Sequence, residues 1–301
     1  MTKKRKILKW NDWVAFAILS LTWGTSFILI KKSLVAFDSV QVASLRILIA
    51  TIAFTPVVIY NLRKIEWSKW YKYLLVGLAG GGIPPFLFAF AQTKVSSSLA
   101  GALNALTPIF TLLLGVLLFQ IKFTYKKLWG VVLGLTGAFT IIYYNNISFE
   151  GGLFYSSLIL FATIFYAFNV NLVKKFFNNH NTVVLTAASF IFFGYFSLIL
   201  LVQSDFVEVM KTNPDAWMSL GAVTFLSLFS TVMATVLFFK LAQKSNALFA
   251  SSVSFAIPLV ALFWGYLDGE KLSIIHFLSL VLILTGVYLT RGNDNVKQKD
   301  L

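Results

Sequence analysis

Neutral polar and aromatic side chains recur near the middle of long apolar segments, where they can supply hydrogen bonding and ring packing. Trp23 and Ser26 precede one pair of lysines, and Tyr166 and Asn169 precede a second pair at matching positions. A polar side chain at such depth faces protein or water. The candidate ligand-binding residues share this setting and are Trp23, Ser26, Asn104, Tyr166, Asn169, Asn171 and Ser254. Hydrogen bonding between helices is the alternative use of these side chains.

A cation, Arg46, stands inside an otherwise apolar segment. Placing a guanidinium at the centre of a membrane helix costs about 2.5–3.5 kcal/mol on insertion scales. The sequence therefore predicts that Arg46 lines a cavity or pairs with helix carbonyls. Because Arg46 stands near one end of its segment, snorkelling of its side chain to the membrane surface is the alternative.

Prolines interrupt several of the apolar segments. Pro84 and Pro85 follow three glycines, and each removes one backbone donor from a helix. Pro108 and Pro258 each stand near the centre of a segment, after small or polar residues. Irregular backbone at membrane depth is tolerated where it lines a cavity or is buried in protein. We therefore predict that these four prolines break helices and serve gating, with ordinary helix packing as the alternative.

The sequence offers no set of reactive side chains. Its 11 carboxylates fall in tails, loops or the ends of apolar segments, cysteine is absent, and only two histidines occur. There is no phosphate-binding glycine loop, nucleophile elbow or zinc-binding helix motif. We therefore predict no catalytic residue, no metal site and no cofactor, and we do not expect an enzyme.

Composition places the chain in a membrane. Hydrophobic residues make up 58% of it, charged residues make up 12%, and the mean hydropathy is +0.81, which one soluble core cannot bury. Apolar runs of about 17–25 residues are long enough to cross a bilayer as helices. Ten such runs are predicted, at 12–31, 39–60, 70–91, 96–119, 127–144, 152–173, 183–203, 217–240, 246–267 and 273–290.

The ten predicted helices divide into two similar halves of five. The similar stretches 132–137 and 281–286 both end in Thr-Gly, near the end of each half. Since each half has an odd number of spans, the second half is predicted to be inverted relative to the first. The fold prediction is an all-α polytopic membrane protein whose ten transmembrane helices form two inverted five-helix repeats. Its segments are a basic tail 1–11, a first repeat 12–144, a second repeat 152–290 and a tail 291–301.

Basic residues predict the orientation of the chain. The net charge of +14 arises mostly from lysines and arginines in the tails and in the short loops of one face. An excess of lysine and arginine marks cytoplasmic loops, so both termini are predicted to be cytoplasmic. Because the charges follow this topology, the lipid bilayer is an expected partner and nucleic acid is not.

A seam of small residues runs along the fifth predicted helix, at Gly130, Gly134 and Gly137. Such a seam lets two helix backbones approach closely. It suits packing inside the chain or a homodimer through the Gly130/Gly134 helix, and the sequence leaves both open.

Taken in order along the chain, these features resemble the EamA-type branch of the drug/metabolite transporter superfamily. The resemblance covers roughly residues 12–290. The segments that carry it are 23–27, Arg46, Ala91-Gln92, the helices of Pro108 and Pro258, 241–243, 269–272 and the Thr-Gly pairs at 136–137 and 285–286.

The resemblance implies two inverted bundles around a central cavity, lined mainly by the first, third, fourth, sixth, eighth and ninth helices. It implies a multi-pass secondary transporter of the bacterial inner (plasma) membrane that exports small metabolites such as amino acids by alternating access. A small-molecule substrate is then the expected partner, and a membrane scaffold or receptor without transport is the alternative. One departure concerns Glu270, because Gln120 stands near the corresponding place in the first half. Glu270 is therefore expected to cap a helix or order a loop.

Overall fold

Helices make up all the regular structure in the part of the chain that the computed structural model describes, residues 10–119, 124–148, 152–177, 180–238 and 253–290. The helices are α1 (Trp10–Ser33), α2 (Ser39–Asn61), α3 (Trp70–Gly77), α4 (Ile83–Ala91), α5 (Ser97–Asn104), α6 (Thr107–Phe119), α7 (Tyr125–Ser148), α8 (Gly152–Phe176), α9 (Thr182–Gln203), α10 (Phe206–Thr212), α11 (Ala216–Phe225), α12 (Val253–Leu267) and α13 (Ile274–Thr290). Most of the predicted basic tail and all of the second tail lie outside these ranges.

Within the described ranges, eight helical stretches are long and apolar enough to cross a membrane. They are Trp13–Ser33, Ser39–Lys64, Trp67–Ala91, Ser97–Leu118, Tyr125–Tyr144, Gly152–Phe176, Thr182–Gln203 and Ala216–Phe238. Two shorter apolar helices, Ala256–Leu267 and Ile274–Leu289, fall in the ninth and tenth predicted spans. The start of the ninth predicted span, from residue 246, lies outside the described residues. The chain is therefore an all-helical membrane protein.

Two of the membrane-length stretches contain a π-helical segment. One segment, Leu78–Gly82, joins α3 to α4. The other, Leu226–Met233, follows α11, and the helical backbone continues beyond it to residue 238. These stretches correspond to the third and eighth predicted spans, for which the sequence predicts equivalent places in the two repeats. π segments are rare and are found frequently at functional sites.

Proline explains the first of these segments. Pro84 and Pro85 lie in the first turn of α4 and have no N–H groups to donate to the carbonyls one turn back. The backbone N–H of Ile83 donates to the carbonyl of Leu78, which is the longer spacing of a π turn. The predicted break at these prolines is therefore a local widening of a continuous helix.

Side-chain contacts show which of the described connections between helices lie at the same end of the bundle. At one end, His180 before α9 lies 3.0 Å from Glu66, which stands between α2 and α3. At the opposite end, Gln41 at the start of α2 donates to Asp205 after α9 at 2.7 Å. Lys31 of α1 meets Asp268 after α12 at this second end. α2 and α9 therefore run in opposite directions between these two ends.

The predicted glycine seam packs α7 against α13 inside the chain. A Cβ added at Gly137 would lie 2.7 Å from the carbonyl oxygen of Ser279. A Cβ added at Gly286 would lie 2.7 Å from the Cα of Gly134. Both distances are below van der Waals contact, so glycine is required for the close approach of the two helices. Internal packing therefore uses the seam.

Large apolar side chains cover much of the outside of the bundle. Strongly exposed examples are Tyr195 and Val202 of α9 and Trp217 of α11, which are 72%, 76% and 72% exposed. A water-soluble monomer rarely carries apolar surface on this scale. Contact with the hydrocarbon of a bilayer accounts for it, because apolar side chains are favourable in that surrounding.

Candidate functional site

A cavity of about 400 Å³ lies inside the bundle. Its walls come from α1, α2, the α3–α4 stretch, the α5–α6 stretch, α8, α9, the α11 stretch and the start of α12. The resemblance to known transporters implied walls from the first, third, fourth, sixth, eighth and ninth spans, and all six contribute. The second and seventh spans also contribute, through Arg46 on α2 and residues 185–190 on α9.

Aromatic rings line the cavity on two sides. The Trp23 ring packs 5.2 Å from the ring of Phe238, and its indole Nε1 donates to the carbonyl of Ser230 at 2.9 Å. The Tyr166 ring stacks on Phe88 at 5.9 Å. The structure thus brings the two predicted aromatic residues to one cavity. Phe88 and Phe238 have no distinguishing signal in a sequence with 31 phenylalanines.

Three of the predicted neutral polar residues reach the cavity wall. Ser26, Asn104 and Asn169 all line it. The hydroxyl of Ser26 donates to the backbone carbonyl of Trp23, one turn earlier in α1. The amide of Asn169 donates to the carbonyl of Val76 in α3 at 2.7 Å, which links α8 to the helix that precedes the first π segment.

The structure does not bring Asn171 to this cavity wall. Asn171 is buried away from the cavity, and its amide nitrogen donates at 3.0 Å to the carbonyls of both Thr111 and Ala167. This is the helix-to-helix hydrogen bonding that the sequence offered as the alternative. The side chain of Ser254 lies outside the described part of the structure.

Arg46 faces the cavity and is half-buried. Its Nε donates to the hydroxyl of Thr231 in the second π segment at 2.9 Å. Tyr166 of α8 lines the same cavity. The backbone carbonyl of Arg46 accepts a hydrogen bond from Ser227 at 2.6 Å. Arg46 therefore adopts the cavity position that the sequence predicted, held against the second half of the chain.

The predicted prolines differ in their relation to the cavity. Pro108 lines it at the start of α6, directly after the break between α5 and α6. The Asn104 carbonyl, which a residue with an N–H at position 108 would bond, accepts from the hydroxyl of Thr107 at 2.7 Å. Pro258 lies within the continuous helix α12 and is not among the described wall residues.

An ionic cluster lies at the end of the bundle opposite Glu66 and His180. Lys31 Nζ lies 2.7 Å from a carboxylate oxygen of Asp268 and 3.3 Å from Glu270 Oε1. Lys32 pairs with Asp268 as well. Burial acts to raise the pKa of Asp268, but the hydrogen bonds from Lys31 and Lys32 outweigh it and hold the pKa of that carboxyl below its ordinary value.

A membrane-embedded helical bundle around a cavity of neutral polar and aromatic side chains has the architecture of the solute-transporter class. The sequence profile of the EamA-like transporter family matches residues 12–143 and 153–292. The chain therefore belongs to the EamA-like transporter family.

Relatives in sequence agree with this assignment, and a solved structure is similar in fold. An "uncharacterized transporter" of Archaeoglobus fulgidus is 25% identical over 287 residues, which cover 93% of this chain and 98% of the relative. The "uncharacterized inner membrane transporter YedA" of Escherichia coli is 26% identical over 279 residues, which cover 91% of this chain and 89% of the relative. A solved crystal structure is similar in fold, with a TM-score of 0.63 at 15% identity, over 94% of this chain and 97% of its own.

Proposed function

We propose that this protein is a secondary transporter that exports small metabolites such as amino acids, by alternating access at the interface between its two halves. The observation that carries the proposal is the cavity of about 400 Å³, whose walls come from both halves. Aromatic surface with a few neutral polar groups suits a small amphipathic solute. Trp23 and Tyr166 serve as aromatic walls, and Ser26, Asn104 and Asn169 supply hydrogen bonds.

The architecture that goes with this function is ten transmembrane helices in two inverted repeats, residues 12–144 and 152–290. The placement of the two π segments supports it, since Leu78–Gly82 and Leu226–Met233 occupy equivalent places in the proposed repeats. Both segments contribute to the cavity wall. Two equivalent, irregular helices on either side of a solute are suited to opening one end of the cavity while the other closes. A homodimer through the Gly130/Gly134 helix stays a prediction.

The proposed location is a bacterial inner (plasma) membrane with both termini in the cytoplasm, supported by the distribution of lysine and arginine. In this orientation the cluster of Lys31, Asp268 and Glu270 faces the outside. The cluster then joins the two halves of the chain at the outer end, and the proposed export requires its ion pairs to separate. A reporter fused after Leu301 should be active in the cytoplasm, and one inserted at 205–215 should be active outside. The reverse result would overturn the orientation.

Transport is expected to run downhill or by exchange. Within the described walls, the cavity carries no Asp, Glu or His that could take up a proton as the solute moves. Uphill accumulation of a non-titrating solute, driven by an imposed pH gradient and abolished by a protonophore, would contradict this expectation.

A scaffold or receptor is the alternative function. A protein that only holds partners would gain stability by filling the interior with apolar side chains, because protein interiors are close-packed. The deciding experiment reconstitutes the purified protein in liposomes preloaded with each amino acid in turn, and measures counterflow of the labelled compound. Counterflow above that of protein-free liposomes supports the transporter. Correctly folded protein that moves none of these solutes supports the scaffold.

A further inference from the structure

The charge balance of the cavity points to the chemical class of its solute. Arg46 is the charged residue among the described walls, and no carboxylate stands beside it there. An arginine side chain has five N–H donors in a planar fork. In Arg46 the Nε group donates to the hydroxyl of Thr231 at 2.9 Å. This acceptor is neutral, so the positive charge has no described counter-ion.

The acidic residues that might have balanced Arg46 are held elsewhere. Asp268 and Glu270 pair with lysines at one end of the bundle. Asp205 accepts from Gln41 at the same end, and Glu66 pairs with Lys69 at the other end. Each is engaged at a connection between helices. None of these carboxylates belongs to the cavity wall.

A cation that is half-buried without a counter-ion is unfavourable, because it has lost part of its hydration. A ligand carboxylate that enters the cavity would restore the balance, and a guanidinium can bind both carboxylate oxygens at once. The rest of such a ligand would lie against the rings of Trp23 and Tyr166. Phosphate offers the same charge, but the aromatic walls favour an anion with an apolar body.

We propose that Arg46 binds the carboxylate of an amphipathic organic acid, and that this group is required for recognition while an amino group is not. An amino group is not required because no described wall residue is acidic, so a ligand ammonium would meet only neutral acceptors in the described walls. Amino acids and the corresponding acids without the amine should therefore both bind. This inference rests on the proposed transport function and narrows its substrate class.

The test uses the purified full-length protein in lipid nanodiscs and four compounds with the same phenyl body. They are phenylalanine, 3-phenylpropionate, its neutral amide and phenethylamine, with phenyl phosphate as a fifth probe for phosphate recognition. Binding is measured as the ligand-dependent rise in Tm, since a ligand that binds the folded state stabilises it. We expect phenylalanine and 3-phenylpropionate to raise the Tm. The amide and the amine should not.

The variants assign the effect to one residue. Arg46→Gln should weaken binding of both acids at least tenfold, and Arg46→Lys should retain part of it because the charge remains. Arg63→Gln is the matched control, since Arg63 is exposed in the turn after α2 and should leave binding unchanged. If Arg46→Gln does not fold, the rise in Tm caused by the acid is compared with that caused by the amide, in the wild-type protein and in Arg46→Lys. This comparison still tests whether Arg46 recognises the carboxylate.

Several results would overturn the inference. They are equal binding of the amide and the acid, unchanged binding by Arg46→Gln, binding of phenethylamine or phenyl phosphate alone, and binding of no compound in the panel. Flux of the same compounds in proteoliposomes separates this inference from the proposed function. Carboxylate-selective binding without flux would refute the transport function and support the role of Arg46. Flux of acid and amide at equal rates would support the transport function and refute the role of Arg46.

Discussion

The carboxylate of Glu270 accepts a hydrogen bond of 2.8 Å from the backbone amide of Ser97, across 173 residues of sequence. Its second oxygen accepts from the amide of Ser98 at 3.1 Å. These amides belong to the first turn of α5, where N–H groups lack helical partners and the helix dipole is positive. A carboxylate from the second half of the chain thus caps a helix of the first half. The expectation that Glu270 would cap a helix agrees with this geometry.

Replacing Glu270 with alanine should destabilise the protein by about 1–2 kcal/mol, in the range of lost helix caps. The variant leaves two amides of α5 without their acceptor and removes one partner of Lys31. Thermal unfolding in nanodiscs measures the change. Glu208→Ala is the control, since Glu208 is exposed on α10. Equal Tm values for the two variants would show that the cap contributes nothing.

Gly265 lies beneath the same contact. A Cβ added there would overlap the hydroxyl of Ser98 and would lie 3.0 Å from the Cδ of Glu270. Gly265→Ala should therefore lower the Tm by displacing the Glu270 carboxylate. The double variant Gly265→Ala with Glu270→Ala should lose less than the sum of the two single changes, because they damage one contact. Additive losses would indicate that Gly265 acts through another neighbour.

The ionic cluster predicts an acid limit to stability. The pKa of Asp268 is held below its ordinary value in the folded protein, despite its burial, by hydrogen bonds from Lys31 and Lys32. Such a carboxyl stabilises the fold fully above its unfolded-state pKa, which is about 3.9 for aspartate. The contribution is lost as the pH falls through the lower, folded-state pKa. The Tm measured between pH 3 and pH 7 should fall less steeply at the acid end in Asp268→Asn than in the wild-type protein. Identical slopes would show that the cluster is not linked to folding.

The extent of the apolar runs was the most predictable feature. The second predicted span, 39–60, compares with α2 at Ser39–Asn61, and the seventh, 183–203, compares with α9 at Thr182–Gln203. Bilayer thickness sets the length of such runs, so composition alone marks their ends. The aromatic pair Trp23 and Tyr166 was also identified, since both interrupt apolar runs beside small or polar residues.

Contacts between segments distant in the chain could not be predicted from the sequence. Arg46 and Thr231 meet across 185 residues, and no local pattern pairs them. Asn171 looked like a ligand-binding residue because it is polar and lies near Asn169, but its position turns it toward Thr111 instead. A helix with polar residues at close spacing presents them on different faces, and only packing decides which face meets the cavity.

Gly80 in the first π segment provides a test of the cavity wall. A Cβ at this position would lie 2.6 Å from the amide nitrogen of Asn169, which donates to the carbonyl of Val76. Gly80→Ala should therefore push Asn169 out of place and reduce flux severalfold with little change in abundance. Gly221→Ala is the matched control, because a Cβ there meets nothing within 4 Å. Flux lost equally in both variants would refute a specific role for this wall.

Pro108 offers the sharpest test of helix irregularity in the mechanism. Alanine at this position restores an N–H that can reach the carbonyl of Asn104, which the hydroxyl of Thr107 now occupies at 2.7 Å. Because the restored N–H can complete a helical turn across the break, Pro108→Ala should join α5 to α6 and keep or raise the Tm. If the break is needed for alternating access, proteoliposome flux should nevertheless fall severalfold.

Pro56→Ala is the control for Pro108→Ala, since Pro56 also lies inside a membrane-length helix but is not among the described cavity walls. Its flux should stay close to that of the wild-type protein. The informative quantity is the ratio of flux to folded protein in the membrane, measured for both variants in the same preparation. A normal ratio for Pro108→Ala would mean that the break between α5 and α6 serves packing alone. A fall in this ratio for Pro108→Ala, with Pro56→Ala unchanged, would tie transport to the backbone geometry at one residue of the cavity wall.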